Sequence, residues 1–474
     1  MTSETFLNGK VTLRAGDSRD VLKTIADNSI DSIVTDPPYA LVSIVKRFGK
    51  AGSAAVKVPE DGSGAYARAS AGFMGKAWDT GETAFATEFW AECLRVLKPG
   101  GHVVAFSGTR TYHRMACAIE DCGFEVRDQL AWAYGSGFPK SHDVSKDLDK
   151  RAGHWRGRAG EVTIAQQVAK GTEYARADKG DPITADAIKW SGWGTALKPA
   201  WEPICLARKP IVGTVATNVL EHGTGAINID GCRVGEEQRI NAPAGNKNLD
   251  SRTTVTPISR HGETDGRLAV GRWPANIIHD GSEEVIAAFP ETGAAKSGMR
   301  GDQHSGRHGG LADIGGNIKD GTNSVRGIDD DGGSAARFFY TAKADSDDRL
   351  GSKHPTVKPV DLMQWLCRLV TPKGGTVLDP FAGTGTTGEA AFREGFNAVL
   401  IEREPEYQAD IRRRMALCMS GPEERARESI KARNAGQPID AGPLFGGLDT
   451  PPPTGQADLR SLRGRTIGPV GLKR

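Results

Sequence analysis

Thr376-Val377-Leu378-Asp379-Pro380-Phe381-Ala382-Gly383-Thr384-Gly385-Thr386-Thr387 decides the fold. Thr376–Asp379 is a short apolar strand that ends in an acid, two glycines make a tight turn, and a helical pattern runs on through Glu389-Ala390-Ala391-Phe392-Arg393. Glycines let a backbone turn sharply and approach a ligand closely. Ala398-Val399-Leu400-Ile401 reads as the next strand and ends in Glu402. An acid at that position is where Rossmann-like sheets bind ribose hydroxyls. No Gly-Lys-Ser/Thr follows the glycines, which argues against a phosphate-gripping P-loop. A dinucleotide site is set aside as well.

A nucleoside without phosphates fits this unit better, and S-adenosylmethionine is the candidate cofactor. On that reading Asp379, Pro380, Phe381, Gly383, Thr384, Gly385, Thr386, Thr387 and Glu402 form its site. Outward from the turn, the run Ile30–Thr35 is a second apolar strand, closed by Asp36-Pro37-Pro38-Tyr39. An amino group on a base ring is a weak nucleophile, because its lone pair is delocalised into the ring. An acceptor pair that holds its hydrogens draws the nitrogen towards tetrahedral geometry. Asp36 and the Pro37 carbonyl are candidates for that pair. Pro37 and Pro38 fix the backbone and donate no N–H. Tyr39 is placed to stack on an extruded base. Taken alone, the tetrapeptide also reads as a strand-to-loop turn with a capping Asp.

With both segments in view, the chain resembles the amino-methyltransferases of DNA in their β-type, permuted order. In that family the DPPY segment comes first, a target-recognition region follows, and the FxGxG cofactor segment comes late. Further resemblance lies in Ala15-Gly16-Asp17, in Gly75-Lys76-Ala77-Trp78-Asp79, in Leu94–Gly101 and in His354-Pro355-Thr356-Val357-Lys358-Pro359. It covers residues 11–140 and 337–415 and implies a circularly permuted Rossmann-like sheet. It also implies contact of Asp17 with the cofactor, and of Thr356 and Lys358 with its methionine end. For Asp17 an N-cap stays open as the other reading. Asp36 at the first position of the tetrapeptide points to adenine N6, where cytosine-N4 members usually carry Ser. Tyr134–Ser141 and Gly192–Pro199 are similar to phage and prophage members. The resemblance implies action on double-stranded DNA and admits a homodimer; it leaves a restriction endonuclease partner open.

The 61 basic and 59 acidic residues nearly cancel in a chain of 474. Nucleic-acid binding must therefore come from local charge. Arg233, Arg239, Arg252, Arg260 and Arg272 are candidate DNA contacts, to phosphate more than to bases. No apolar run has the length of a membrane span and no signal peptide is read, so the expected place is the cytoplasm. The seven cysteines show no CxxC and read as reduced, with no metal site.

Alternating strands and helices in the outer parts predict a mostly parallel sheet with helices on both faces. Strands are expected at Val11–Arg14, Ile30–Thr35, His102–Phe106, Gln129–Tyr134, Pro203–Ala207, Phe338–Ala342, Thr376–Asp379 and Ala398–Ile401. Helices are expected at Val21–Ala26, Phe85–Leu97, Tyr112–Asp121, Pro359–Val370, Thr387–Glu394 and Glu406–Met419. The expected division is 1–140 and 337–420 for the catalytic domain, 141–336 for a loop-rich recognition insertion, and 421–474 for a disordered tail.

Overall fold

Residues 30–35 and 376–379 meet side by side at the centre of one large sheet. In the computed structural model, β1 (Ser3–Phe6), β2 (Val11–Ala15), β3 (Ile30–Thr35), β4 (Leu97–Phe106), β5 (Glu125–Ala133) and β6 (Trp201–Arg208) come first in the chain. Then follow β7 (Val234–Asn241), β8 (Arg267–Arg272), β9 (Ile277–His279), β10 (Glu291–Thr292), β11 (Gly333–Ser334), β12 (Tyr340–Thr341), β13 (Thr376–Asp379) and β14 (Asn397–Glu402). The structure describes residues 2–39, 83–137, 141–154, 181–241, 267–294, 332–342, 346–352, 354 and 356–434. Trp78 and its neighbours, Arg252 and Arg260 lie outside them.

The large sheet has ten strands in the order β1-β2-β14-β13-β3-β4-β6-β5-β9-β12. Its centre, β2-β14-β13-β3-β4, is parallel throughout. The helix Thr87–Val96 carries the chain from β3 to β4, and Thr386–Arg393 carries it from β13 to β14. These two crossovers leave in opposite directions from adjacent strands, so β3 and β13 flank a topological switch point, the place where such sheets hold ligands. The buried strands alternate between two cores. Val34 packs with Trp365 and Leu366 on one face, and Ile33 with Trp90 and Ile119 on the other. This is the expected α/β, Rossmann-like sheet with helices on both sides.

Three local expectations change. Asp17 caps a short helix at Ser18–Val21, followed by a 3-10 turn at Leu22–Thr24, in place of one helix from Val21. The stretch read as a strand over Phe338–Ala342 keeps only the two-residue β12, and its first residue, Phe338, ends a 3-10 turn at Ala335–Phe338. The tail begins with a helix, Pro422–Asn434, whose Arg425 reaches the buried Glu389 at 2.8 Å; a buried carboxylate anchors what composition read as disordered.

The expected insertion, 141–336, is not separate from the sheet. β6 lies between β4 and β5, buried from Pro203 to Arg208, and β9 pairs with β5. Cys232 sits in the core beside Trp365, whose indole N–H donates to the Cys232 carbonyl at 3.3 Å. All seven cysteines are free thiols. Among the described residues no helix is long and apolar enough to cross a membrane.

Candidate active site

A cleft opens beyond the carboxyl ends of β3, β13 and β14. Asp36, Pro37, Pro38 and Tyr39 form one side of it, and Pro380, Phe381, Gly383 and Glu402 the other. Asp17, Thr356 and Lys358 also line it, as do Asp379, Thr384, Thr386 and Thr387. Gly385 does not. It starts the helix Thr386–Arg393 at φ +78°, and a Cβ there would meet Ile411 at 3.0 Å. Its role is the tight turn against the Pro405–Leu417 helix. Gly388 lets the helix lie close on the sheet, since a Cβ would meet Leu400 at 2.6 Å. Gly383, Gly385 and Gly388 do follow G-x-G-x-x-G spacing, so spacing alone did not exclude a dinucleotide.

On the cofactor side the two acids have distinct positions. Asp379 is buried, and its carboxylate accepts from Thr35 Oγ1 at 2.6 Å, Thr387 Oγ1 at 2.5 Å and the Phe381 amide at 3.1 Å. It knits β3, β13 and the Gly-rich turn together. Burial pushes its pKa up to about 6 against those hydrogen bonds. Glu402 accepts the Gly383 amide on Oε2 and the Glu404 amide on Oε1, both at 2.8 Å. Burial raises it to about 7. Each oxygen keeps a second lone pair for a hydroxyl donor. Gly383 has φ +52°, and a Cβ there would stand 3.3 Å from His354 Nε2, inside the cleft. His354 holds its own turn, with Nδ1 at 2.7 Å from the Thr356 carbonyl and the ring edge-on to Tyr407. Asp17 caps Ser18–Val21 through the Arg19 amide and pairs with the Arg19 guanidinium, so the capping role is realised at the rim of the cleft.

On the Asp36 side a buried polar cluster forms. The Lys358 ammonium lies 2.6 Å from Asp36 Oδ2, 3.2 Å from Glu202 Oε2 and 3.1 Å from the Tyr39 hydroxyl. The Tyr39 hydroxyl donates to Glu202 Oε2 at 2.8 Å. Lys358 thus pairs with Asp36 while lining the same cleft. Burial works to discharge Lys358, but the Asp36 and Glu202 carboxylates outweigh it and hold its pKa above the usual lysine range. Burial, then the same two carboxylates, keeps the Tyr39 phenol protonated. Asp36 Oδ1 is buried and has no hydrogen-bond partner among the described residues. Thr111 Oγ1 donates to the Tyr39 carbonyl at 2.8 Å and steadies the loop.

Glu202 and Thr111 escaped the sequence reading. Glu202 begins a strand in the region assigned to recognition, and its only local signal is the Trp201-Glu202-Pro203 start of a buried run. The candidate DNA contacts fare differently. Arg233 pairs with Asp230 at 2.8 Å and lies over the Trp273 ring, and Arg272 lies 3.8 Å from the centre of the Phe338 ring. Both are held against the protein's own rings, Arg233 across the open end of the β7–β8 ribbon and Arg272 against the 3-10 turn Ala335–Phe338. Arg239 lies on β7.

A family model described as DNA methylase, of the N6/N4 class, matches residues 30–413. The Type II methyltransferase M.HindIII of Haemophilus influenzae is 25% identical over 226 residues, 45% of this chain and 63% of that protein. The Type II methyltransferase M2.DpnII of Streptococcus pneumoniae is 40% identical over 68 residues, 14% of this chain and 25% of that protein. The chain therefore spans less than two thirds of the length of these relatives. Among solved structures, the PvuII DNA methyltransferase (cytosine-N4-specific) aligns over 91% of this chain and 94% of its own, at 14% identity and a TM-score of 0.38. The matched family segment runs from the first residue of β3 to beyond Glu402, and by it the chain belongs to the N6/N4 DNA methylase family.

Proposed function

We propose that this protein is a site-specific, S-adenosylmethionine-dependent DNA methyltransferase that modifies N6 of adenine in double-stranded DNA. The observation that carries the reading is Asp36 Oδ1, a buried acceptor without a partner among the described residues, in the same cleft as the Gly-rich turn. A buried acceptor left open is costly unless a ligand supplies the donor, and an exocyclic amino group is such a donor.

The residues of the other half of the cleft fit the cofactor. Phe381 and Ile401 would cover an adenine ring, Glu402 would accept from ribose hydroxyls, and Gly383, with no side chain, would let the ligand approach its backbone. When bound, the cofactor supplies a methyl carbon on a positive sulfur, open to attack by a nitrogen lone pair. Extruding the target base from the duplex costs roughly a few kcal/mol. Asp36 Oδ1 and the Pro37 carbonyl then accept the two amino hydrogens and draw the lone pair out of ring conjugation. Tyr39, fixed at its hydroxyl, offers its ring to the extruded base. Positioning of this kind can supply roughly 7–11 kcal/mol of barrier lowering. As the nitrogen becomes positive, Asp36 takes its proton and passes it to solvent.

The region between β5 and β12 is the proposed recognition surface. In its support, Trp193 is 60% and Leu197 92% exposed on the segment leading into β6. Exposed apolar side chains of this size mark contact surfaces. Arg239, Arg252 and Arg260 remain the candidates for phosphate contact. The test is mass spectrometry of nucleosides from unmethylated duplex DNA treated with the protein and labelled cofactor. N6-methyladenine is the expected product. Label mainly in N4-methylcytosine would overturn the choice of base, and label in RNA alone would overturn the substrate class.

A further inference from the structure

Building on the reading above, we propose that Glu202 is a positioning residue for methyl transfer: it engages Lys358 and Tyr39 so that Asp36 Oδ1 stays open to the target amino group. The argument is a count of hydrogens. An ammonium has three donors. Lys358 has three acceptors in reach, Asp36 Oδ2 at 2.6 Å, the Tyr39 hydroxyl at 3.1 Å and Glu202 Oε2 at 3.2 Å. The single phenol hydrogen of Tyr39 goes to the same Glu202 oxygen at 2.8 Å. With every hydrogen engaged, none is left for Asp36 Oδ1, which has no partner among the described residues.

Without Glu202, one ammonium hydrogen and the phenol hydrogen lose their acceptor. Both stand beside Asp36, and Oδ1 is the open acceptor there. A buried donor seeks such a partner, so Lys358 or Tyr39 would cap the oxygen that the substrate needs. Glu202 opens β6, which β4 and β5 hold from both sides. A residue from the region assigned to recognition therefore sets the hydrogen bonds of the catalytic acid.

Lys358 is faced by Asp36 and Tyr39 beyond β3, by Glu202 on β6 and by Tyr134 beyond β5, with His354 on its own segment. Burial lowers its pKa, while Asp36 and Glu202 raise it. Loss of the Glu202 charge therefore moves the alkaline limb of turnover to lower pH.

The test uses the full chain, labelled S-adenosylmethionine and unmethylated genomic DNA, with Glu202→Leu and Glu202→Asp. In the Leu variant, which has neither charge nor acceptor, kcat should fall about tenfold or more, with the cofactor dissociation constant within about twofold and the alkaline limb shifted down. Glu202→Asp keeps the charge but loses reach. Its kcat should fall too, with the limb near its original pH. Adding Glu202→Leu to a Lys358→Met background should cost much less than it does alone, since only the phenol hydrogen remains to be misdirected. Wild-type turnover in either single variant, or fully additive losses in the double, overturns the proposal. Absence of any transfer by the unsubstituted protein is a failure of the functional reading itself, and this inference falls with it.

Discussion

On the proposed reading, Asp36 is the residue on which the chemistry turns. One of its oxygens is held by Lys358, and the other is buried and open. Replacement by Ala should lower kcat by at least about a hundredfold, the scale seen when one preorganised hydrogen-bond partner of a transition state is removed. Cofactor affinity should stay within a few-fold, because Asp36 serves the amino group. Turnover above a tenth of wild type in a labelled-methyl assay would sink the role. Glu402 makes a second prediction. Its folded pKa, about 7, stands above the ordinary 4.5. The folded chain thus keeps a proton that the unfolded chain releases, and the stability tied to it is full below 4.5 and is lost as pH rises through about 7. Asp379, at about 6, acts in the same direction. The melting temperature of the cofactor-free protein should fall across that window, and Glu402→Gln should flatten the fall. Cofactor affinity should move the opposite way, since an ionised carboxylate accepts ribose hydroxyls more strongly. A flat melting profile from 4.5 to about 7 in the unsubstituted protein would contradict this.

Among the elements, the turn between β13 and the helix Thr386–Arg393 is the most demanding. Gly383 has φ +52°, which a β-branched residue rarely adopts, and a side chain there would press on His354. Gly383→Val should weaken cofactor binding about tenfold or more, and unchanged affinity in calorimetry would place the ligand elsewhere. The helix Pro422–Asn434 makes a prediction about stability. Glu389 is fully buried among Arg393, Arg414 and Arg425, at 2.7, 2.7 and 2.8 Å. Arg425→Ala removes one charged hydrogen-bond partner and should cost roughly 1–3 kcal/mol. Denaturant melts would measure it; a loss below about half a kcal/mol would mean that Arg393 and Arg414 suffice. The bounds of β3, β13 and the helix Tyr112–Asp121 agree with the sequence reading residue for residue. Their apolar pattern and flanking residues are local. Phe338–Ala342 was read as a full strand because its aromatic run satisfies strand propensity; only Tyr340–Thr341 pairs, and Phe338 ends a 3-10 turn with Arg337 and Arg272 packed on its ring.

At the scale of the molecule, the described residues of the proposed recognition region and the large sheet are one packed body. Removing 211–335 on the expectation of a detachable insertion would delete β9, which β5 and β12 flank, and Cys232, which packs on Trp365. Such a variant should be insoluble or lack a cooperative melt, whatever its DNA preference. A soluble deletion variant with a wild-type melting temperature would show that the core does not depend on this region. By itself the sequence determined the strands, the glycine turn, the acids at the strand ends and the tetrapeptide of Asp36. Each is written in patterns a few residues long: apolar runs, positive-φ glycines and prolines without N–H groups. Only the tertiary structure decided that β6 lies inside the sheet, that Arg233 and Arg272 face the protein's own rings, and that Lys358 joins Asp36 and Glu202. The partners in that cluster stand 322 and 163 residues apart in the chain, for Lys358 with Asp36 and Tyr39 with Glu202. Strand pairing and burial choose such partners, because a buried charge takes whichever opposite charge the packed elements bring within reach.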